Sequence, residues 1–165
     1  MSLVHLHLLL NHVPVVGLVF GLLLLVVALA RRDGGLAKVS FAFLALIGAV
    51  SVGVFMTGEP AQEAIEKLPG FSERLIDRHE DAALVATIVT GTMGALALAA
   101  LILYRRRALP RWLTMLGVVS ALGASAVMAY TANLGGQIRH SEIRAGASSP
   151  AGDGATRAGD EAGER

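Results

Sequence analysis

Five histidines offer most of the ligand chemistry in this sequence. They lie near the start, the middle and the end of the chain, as His5, His7, His12, His79 and His140. Imidazole nitrogen is a common ligand to metal ions and to haem iron. Because no compact ligand motif such as His-Glu-x-x-His is present, the fold itself must bring any site together.

Carboxylates are the second group of candidate ligands. Glu59 follows a long apolar run, and Glu80 and Glu142 lie beside two of the histidines. A carboxylate can bind a metal ion or accept the second ring N–H of a histidine ligand. The chain has no cysteine, which excludes disulfides, thiolate metal sites and covalently attached c-type haem.

The composition is that of a membrane protein. The 165 residues are 54% hydrophobic and only 16% charged, whereas a soluble domain has roughly a quarter of charged residues. Because a helix needs about 20 mainly apolar residues to cross a bilayer, the long uncharged runs predict an all-α integral membrane four-helix bundle. The predicted spans are residues 13–30, 39–56, 82–104 and 112–134.

Basic residues between the spans predict the orientation of the bundle. They are Arg31, Arg32 and Lys38 after the first run, and Arg105, Arg106, Arg107 and Arg111 after the third. Cytoplasmic loops are enriched in Lys and Arg. We therefore expect a multi-pass protein of a prokaryotic plasma (inner) membrane, with both termini and all five histidines on the outer side. The same basic residues favour a retained first helix over a cleaved signal peptide.

The segments outside the spans have patterns of their own. Residues 61–68 place apolar side chains on one face, which predicts a short amphipathic helix lying on the outer membrane surface. Ser72 is expected to cap the helix that continues into the third span. Residues 1–144 are predicted to form the transmembrane domain, and the polar residues 145–165 a disordered tail.

The predicted topology brings the histidines to one side of the membrane. Counting outward from the cytoplasmic charges places His12 and Glu59 near the outer edge of the hydrocarbon, with the other histidines above it. Three of the four helix ends on that side have a histidine, and the fourth has Glu59. We expect His12 and His79 to be the cofactor-binding residues, and the candidate metal ligands are His5, His7, His140 and Glu59.

Three interpretations of these histidines remain open. In the first, they are interfacial residues that hydrogen-bond to loops, lipid headgroups or a partner subunit. In the second, two histidines from different helices bind haem b. In the third, a set of His and Glu residues binds a copper, iron or zinc ion. No catalytic constellation is present, and nothing in the sequence supports catalysis by a metal.

The predicted function is that of a small membrane subunit that uses this histidine cluster in support of electron transfer. The alternative is a non-enzymatic accessory subunit of a larger respiratory or photosynthetic membrane complex, without a cofactor of its own. The acidic outer loop is either a solvated surface or a docking site for a soluble electron carrier. The absence of Asp, Glu, Lys and Arg from the predicted spans argues against a transporter or channel. A net charge of +1 argues against nucleic acid as a partner.

The start of the first helix, Asn-His-Val-Pro at residues 11–14, resembles that of an uncharacterised family of bacterial four-helix inner-membrane proteins. In that family a His-Phe-Pro-type motif opens helix one, another histidine precedes or lies within helix three, and Gly-Gly ends helix four. The matching residues are His12 and Pro14, His79, and Gly135 and Gly136, with Val13 in place of the aromatic residue. The resemblance covers most of residues 5–140. It implies histidine-ligated haem and gives weight to His12 and His79.

A weak internal symmetry agrees with this pairing. Each half of the chain runs through an outer histidine, an inward helix, an arginine loop, an outward helix and a glycine turn. Two parallel copies of such a hairpin would bring His12 and His79 to related positions.

Overall fold

The computed structural model describes residues 2–66, 72–140 and 143. Glu142, which is beside His140 in the sequence, and the expected disordered tail at 145–165 lie outside this part. Within it the chain is all-helical. Its helices are α1 (Leu3–Leu10), α2 (His12–Arg31), α3 (Gly34–Met56), α4 (Gly58–Glu66), α5 (Glu73–Leu103) and α6 (Arg111–Arg139).

Two of the long helices are interrupted at the same distance before a proline. Asn11 separates α1 from α2 three residues before Pro14, and Thr57 separates α3 from α4 three residues before Pro60. Because proline has no backbone N–H, the carbonyl four residues earlier lacks its helical hydrogen bond and the helix bends. α1 and α4 are thus bent extensions of α2 and α3, and they pack against each other.

The four long helices form a closed ring in which α2 packs on α3, α3 on α5, α5 on α6 and α6 on α2. Short connections make neighbours in each hairpin antiparallel. Arg32 and Asp33 join α2 to α3, and Arg32 has a left-handed backbone with φ 54°. The Asp33 side chain accepts a hydrogen bond from the N–H of Leu36 at 2.9 Å, which caps the start of α3.

This topology gives the bundle two chemically distinct ends. One of them is called the histidine end and includes His5, His7, His12, His79 and His140. We call the other the arginine end, which includes Arg31, Arg32, Arg105, Arg106, Arg107 and Arg111. At the arginine end the Lys38 Nζ donates to the carbonyl of Arg105 at 3.4 Å and links the two hairpins.

Small residues allow α3 and α5 to approach closely. A Cβ on Gly48 would lie 2.9 Å from the Cα of Gly94, so the two backbones touch where these helices cross. Lipid tails are as apolar as the side chains of the helices, so close backbone packing is a main source of attraction between membrane helices. The Gly48–Gly94 crossing therefore fixes one hairpin against the other.

The predicted all-α fold with four helices of membrane-spanning length and composition is confirmed. These helices cover Leu3–Arg31, Gly34–Ala64, Glu73–Leu103 and Arg111–Ile138. In the most apolar window of each, only 33% of the residues are buried inside the bundle for the first three and 22% for the fourth. Most of the apolar surface therefore faces outward, which fits a multi-pass membrane protein.

The ends of α5 and α6 differ in detail from expectation. Gly135 and Gly136 do not end the fourth long helix, because α6 continues through both to Arg139. Tertiary packing overrides the weak helix propensity of these glycines, since Gly135 lies against a side chain of α5. Ser72 is the N-cap residue of α5, but its side chain makes no capping hydrogen bond.

The helix α4 lies in the segment for which an amphipathic helix is expected. It begins at Gly58, three residues earlier than expected, and is described as far as Glu66. Residues 67 and 68 of the expected helix lie outside the described part. Its contact with the membrane surface stays a prediction, as does the side of the membrane that the histidine end faces.

Candidate functional site at the histidine end

His7 lies on the bent extension α1 and is held against the end of α3. Its half-buried ring places Nδ1 3.2 Å from the carbonyl oxygen of Val54 and 3.1 Å from Oγ1 of Thr57. The Thr57 hydroxyl itself donates to the Val54 carbonyl at 2.7 Å. The threonine proton is therefore already used, and both oxygens are left to accept from the His7 ring.

His79 lies on α5 and is held against α6 in the same manner. Its half-buried ring places Nδ1 3.1 Å from the carbonyl oxygen of Thr131. The hydroxyl of Thr131 lies 3.1 Å from the carbonyl of Ala82, so the same residue links α6 back to α5. The ring packs on Gly135, where a Cβ would lie only 3.0 Å from Cε1 of His79. A glycine at this position leaves the space that the imidazole occupies.

Both rings have the same proton arrangement. A carbonyl oxygen can only accept a hydrogen bond, so Nδ1 of His7 and of His79 must be the nitrogen that donates. In the neutral imidazole Nε2 then has the free lone pair. This arrangement, with Nδ1–H bonded to a carbonyl, is the usual one for histidines that coordinate a metal through Nε2.

The two histidines occupy equivalent places in the two helical hairpins. His7 bonds to the Thr57 hydroxyl, 50 residues later in the chain, and to the Val54 backbone carbonyl, 47 residues later, while His79 bonds to the Thr131 backbone carbonyl, 52 residues later. Both imidazoles lie at the same end of the bundle. The expected repeat of two hairpins is visible at this contact, with His7 rather than His12 as the counterpart of His79.

The other predicted ligands lie outside this pair. His12 is exposed at the first residue of α2, and Glu59 is exposed on α4. His5 is exposed on α1, where its Nδ1 lies 2.8 Å from Oγ of Ser2. His140 is exposed at the C-cap of α6. Among the residues that the structure describes, no group of three or more His, Asp or Glu side chains is placed to hold a metal ion.

The sequence did contain a signal for His7. On a straight helix His5 and His12, seven residues apart, would share a face and His7 would point away from it. The helix is interrupted at Asn11, and Pro14 is the feature that could have revealed this interruption.

Two surface cavities lie away from the histidine pair. One of about 320 Å³ lies between α5 and α6, beside Arg78 and Tyr130. The other, of about 460 Å³, lies at the arginine end against Leu103 and the three arginines that follow Tyr104. Neither cavity is lined by a histidine.

Comparisons with protein-family models, curated proteins and solved structures find no match to this chain. The resemblance of residues 11–14 to a bacterial four-helix family therefore stays a prediction. Any functional conclusion has to be drawn from the geometry of the histidine end.

Proposed function

We propose that this protein is a small membrane subunit that binds haem b through His7 and His79 and supports electron transfer. The observation that supports this most directly is the shared geometry of the two rings. Each imidazole is oriented by a backbone carbonyl at Nδ1, each has Nε2 free in its neutral form, and both rings lie at the same end of the bundle.

The donor set fits haem better than a bare metal ion. A zinc ion needs three or four protein ligands, and no group of three or more His, Asp or Glu is assembled in the described part of the chain. Haem iron needs only two axial ligands, because the porphyrin occupies its other coordination positions. Two imidazoles from different hairpins match that requirement.

The chain's own residues would hold and tune such a group. The Val54 and Thr131 carbonyls would fix the ring planes and make each Nε2 a stronger metal ligand, as carbonyls that accept the other ring N–H do for metal-bound histidines. Half-burial of both rings limits access of water. Bound haem would supply one-electron chemistry, with a potential set by its axial ligands and by its surroundings.

We place the histidine end on the outer side of a prokaryotic plasma membrane. The concentration of arginines at the opposite end supports this orientation through the bias of basic residues toward the cytoplasm. Acidic residues near the histidine end would then face outward and favour a basic soluble electron carrier. The exposed ones include Glu59, Glu63, Glu73, Asp77, Glu80 and Asp81.

The competing function is that of an accessory subunit without a cofactor. It is favoured by the large apolar side chains on the outside of the bundle, among them Phe20, Leu96 and Val119 at 58%, 66% and 68% exposure. Such faces contact either lipid or other membrane subunits. In this case His7 and His79 only tie each hairpin together at its end.

An oxidised-minus-reduced visible spectrum of the purified protein, with metal analysis of the same sample, distinguishes the two functions. Haem binding predicts sharp bands on reduction and about one iron per chain. A folded protein that stays colourless and free of metal after expression with ample haem supply would refute the haem proposal. Co-purification of that colourless protein with a large membrane complex would favour the accessory function.

A further inference from the structure

A cavity on the outward face of α5 and α6 combines polar and apolar walls. It has a volume of about 320 Å³ and lies near the histidine end, apart from the histidine pair. Its lining residues come from one face of each helix and are Arg78, Asp81, Ala82, Val85, Val127 and Tyr130.

The wall nearest the histidine end has one charge of each sign. A guanidinium nitrogen of Arg78 donates to the hydroxyl of Tyr130 at 3.3 Å, which joins α5 to α6 across the cavity. A guanidinium has five N–H donors, so this bond leaves others for a second acceptor. Asp81 lies three residues further along α5, with its side chain exposed to the same cavity.

The deeper wall is apolar and continues into the surface that faces lipid. Val85 and Val127 form it, and Val85 is 52% exposed. Val85 lies about 10 Å further along α5 than Arg78, from a rise of 1.5 Å per residue. No charged residue follows Asp81 in the sequence until Arg105. The cavity therefore crosses the boundary between headgroups and hydrocarbon.

We propose that this cavity binds a phospholipid whose headgroup has a phosphate and a primary ammonium, as in phosphatidylethanolamine. The phosphate accepts hydrogen bonds from Arg78 and Tyr130, and the ammonium donates to the Asp81 carboxylate. The upper part of an acyl chain lies on Val85 and Val127.

The charge pattern selects this headgroup over other common ones. A glycerol headgroup has no cation to place beside Asp81, so an anionic lipid brings its negative charge close to that carboxylate. A choline headgroup has a cation but no N–H to donate, and its methyl groups increase the distance from the carboxylate. Free phosphate has no group that can use the apolar wall.

Native mass spectrometry of the detergent-purified full chain tests the proposal. The protein is incubated with equal amounts of phosphatidylethanolamine, phosphatidylcholine and phosphatidylglycerol, and the lipids retained on it are counted. We expect phosphatidylethanolamine to be retained about tenfold over phosphatidylcholine, which is the effect of one charge-assisted hydrogen bond.

Variants assign the preference to the cavity. Asp81→Asn is expected to remove the preference for phosphatidylethanolamine over phosphatidylcholine, and Arg78→Gln to lower retention of all three lipids. Asp77→Asn is the matched control, because Asp77 is exposed on the same helix and does not line the cavity. All three positions are exposed, so the variants are expected to fold.

Three results would overturn the proposal. They are equal retention of the three lipids by the wild-type protein, a preference for phosphatidylglycerol, and a preference for phosphatidylethanolamine that survives Asp81→Asn. Displacement of the lipid by inorganic phosphate alone would assign the cavity to a free anion and would also contradict it.

Discussion

At the scale of single residues, the histidine end depends on hydrogen bonds between a side chain and a backbone carbonyl. Thr131 shows how closely these bonds are connected, because its carbonyl accepts from His79 while its hydroxyl lies within bonding distance of Ala82 and Val127 carbonyls on two helices. Thr90 differs, since it is fully buried on α5 and its hydroxyl has no partner. The two threonines therefore make opposite predictions for the same substitution.

Thr131→Val is expected to lower the free energy of unfolding by about 1 kcal/mol, because it removes the hydroxyl that links α6 to the Ala82 carbonyl of α5. Thr90→Val is expected to be neutral or stabilising, because it replaces an unpaired hydroxyl with a methyl group of the same shape. Equilibrium unfolding in mixed micelles measures both. A larger loss for Thr90→Val than for Thr131→Val would show that the hydrogen-bond assignment is incorrect.

Gly135→Val is expected to displace the His79 ring and to destabilise the fold by roughly 1–3 kcal/mol, the usual cost of overpacking. A Cβ alone would lie 3.0 Å from Cε1 and 3.3 Å from Nδ1 of that ring. Gly123→Val on the same helix is the control, because a Cβ there meets nothing within 4 Å. Thermal unfolding of the two variants side by side measures the difference, and equal effects would contradict the packing of His79 on Gly135.

At the scale of helices, the bend before Pro14 decides which histidine reaches the bundle end. α1 has no fully buried residue, and its position depends on the interruption at Asn11 and on its contacts with α4 and α2. Without the interruption we expect α1 to follow the direction of α2 and His7 to lose its contact with Val54 and Thr57. The histidine pair is thus a property of two bent helices as much as of two side chains.

Pro14→Ala restores the N–H that proline lacks, so we expect α1 and α2 to merge into one straighter helix. An eight-residue helix is about 12 Å long, so removing a bend of 20–30° moves its far end by about 5 Å. The chain has no cysteine, so spin labels can be placed at Leu3→Cys on α1 and Glu63→Cys on α4. Pulsed electron paramagnetic resonance then measures the distance between the two labels.

Pro110→Ala is the control for that measurement, because Pro110 is the N-cap residue of α6 and interrupts no helix. The distance between the two labels should lengthen in Pro14→Ala and stay unchanged in Pro110→Ala. An unchanged distance in both would show that Pro14 is not the cause of the bend.

The sequence predicts the helices well and their local geometry less well. Long uncharged runs determine that the chain forms membrane-length helices, since no other structure satisfies so many backbone groups in lipid. The pairing of His7 with Thr57 depends on the direction of α1 relative to α2. The hydrophobic periodicity of the sequence does not predict that direction. Gly135 was expected to end a helix because propensity is a local property, and the side chain that packs on it belongs to another helix.

At the scale of the whole molecule, the bundle is asymmetric between its two ends. One end has the histidines and most of the described acidic residues, and the other has the two arginine loops. This asymmetry predicts a single orientation in the membrane, with the arginine end in the cytoplasm. The proposed electron transfer to an outer partner would require that orientation.

Cysteine accessibility in intact cells tests the orientation. We expect Glu59→Cys, at an exposed position of the histidine end, to react with a membrane-impermeant maleimide from outside. Arg106→Cys, exposed at the arginine end, is expected to react only after the cells are lysed. The wild-type chain, which lacks cysteine, gives the background. Labelling of Arg106→Cys alone in intact cells would show that the bundle has the opposite orientation.

The central claim is that His7, and not His12, forms a haem site with His79. Haem content per chain, measured from reduced spectra of His7→Ala, His79→Ala and His12→Ala prepared in parallel, tests it most directly. The structure predicts that His7→Ala and His79→Ala each lose the haem bands, while His12→Ala, whose ring is exposed, keeps them. Loss of haem in His12→Ala with full retention in His7→Ala would contradict the account and restore the pairing that the first helix motif suggests.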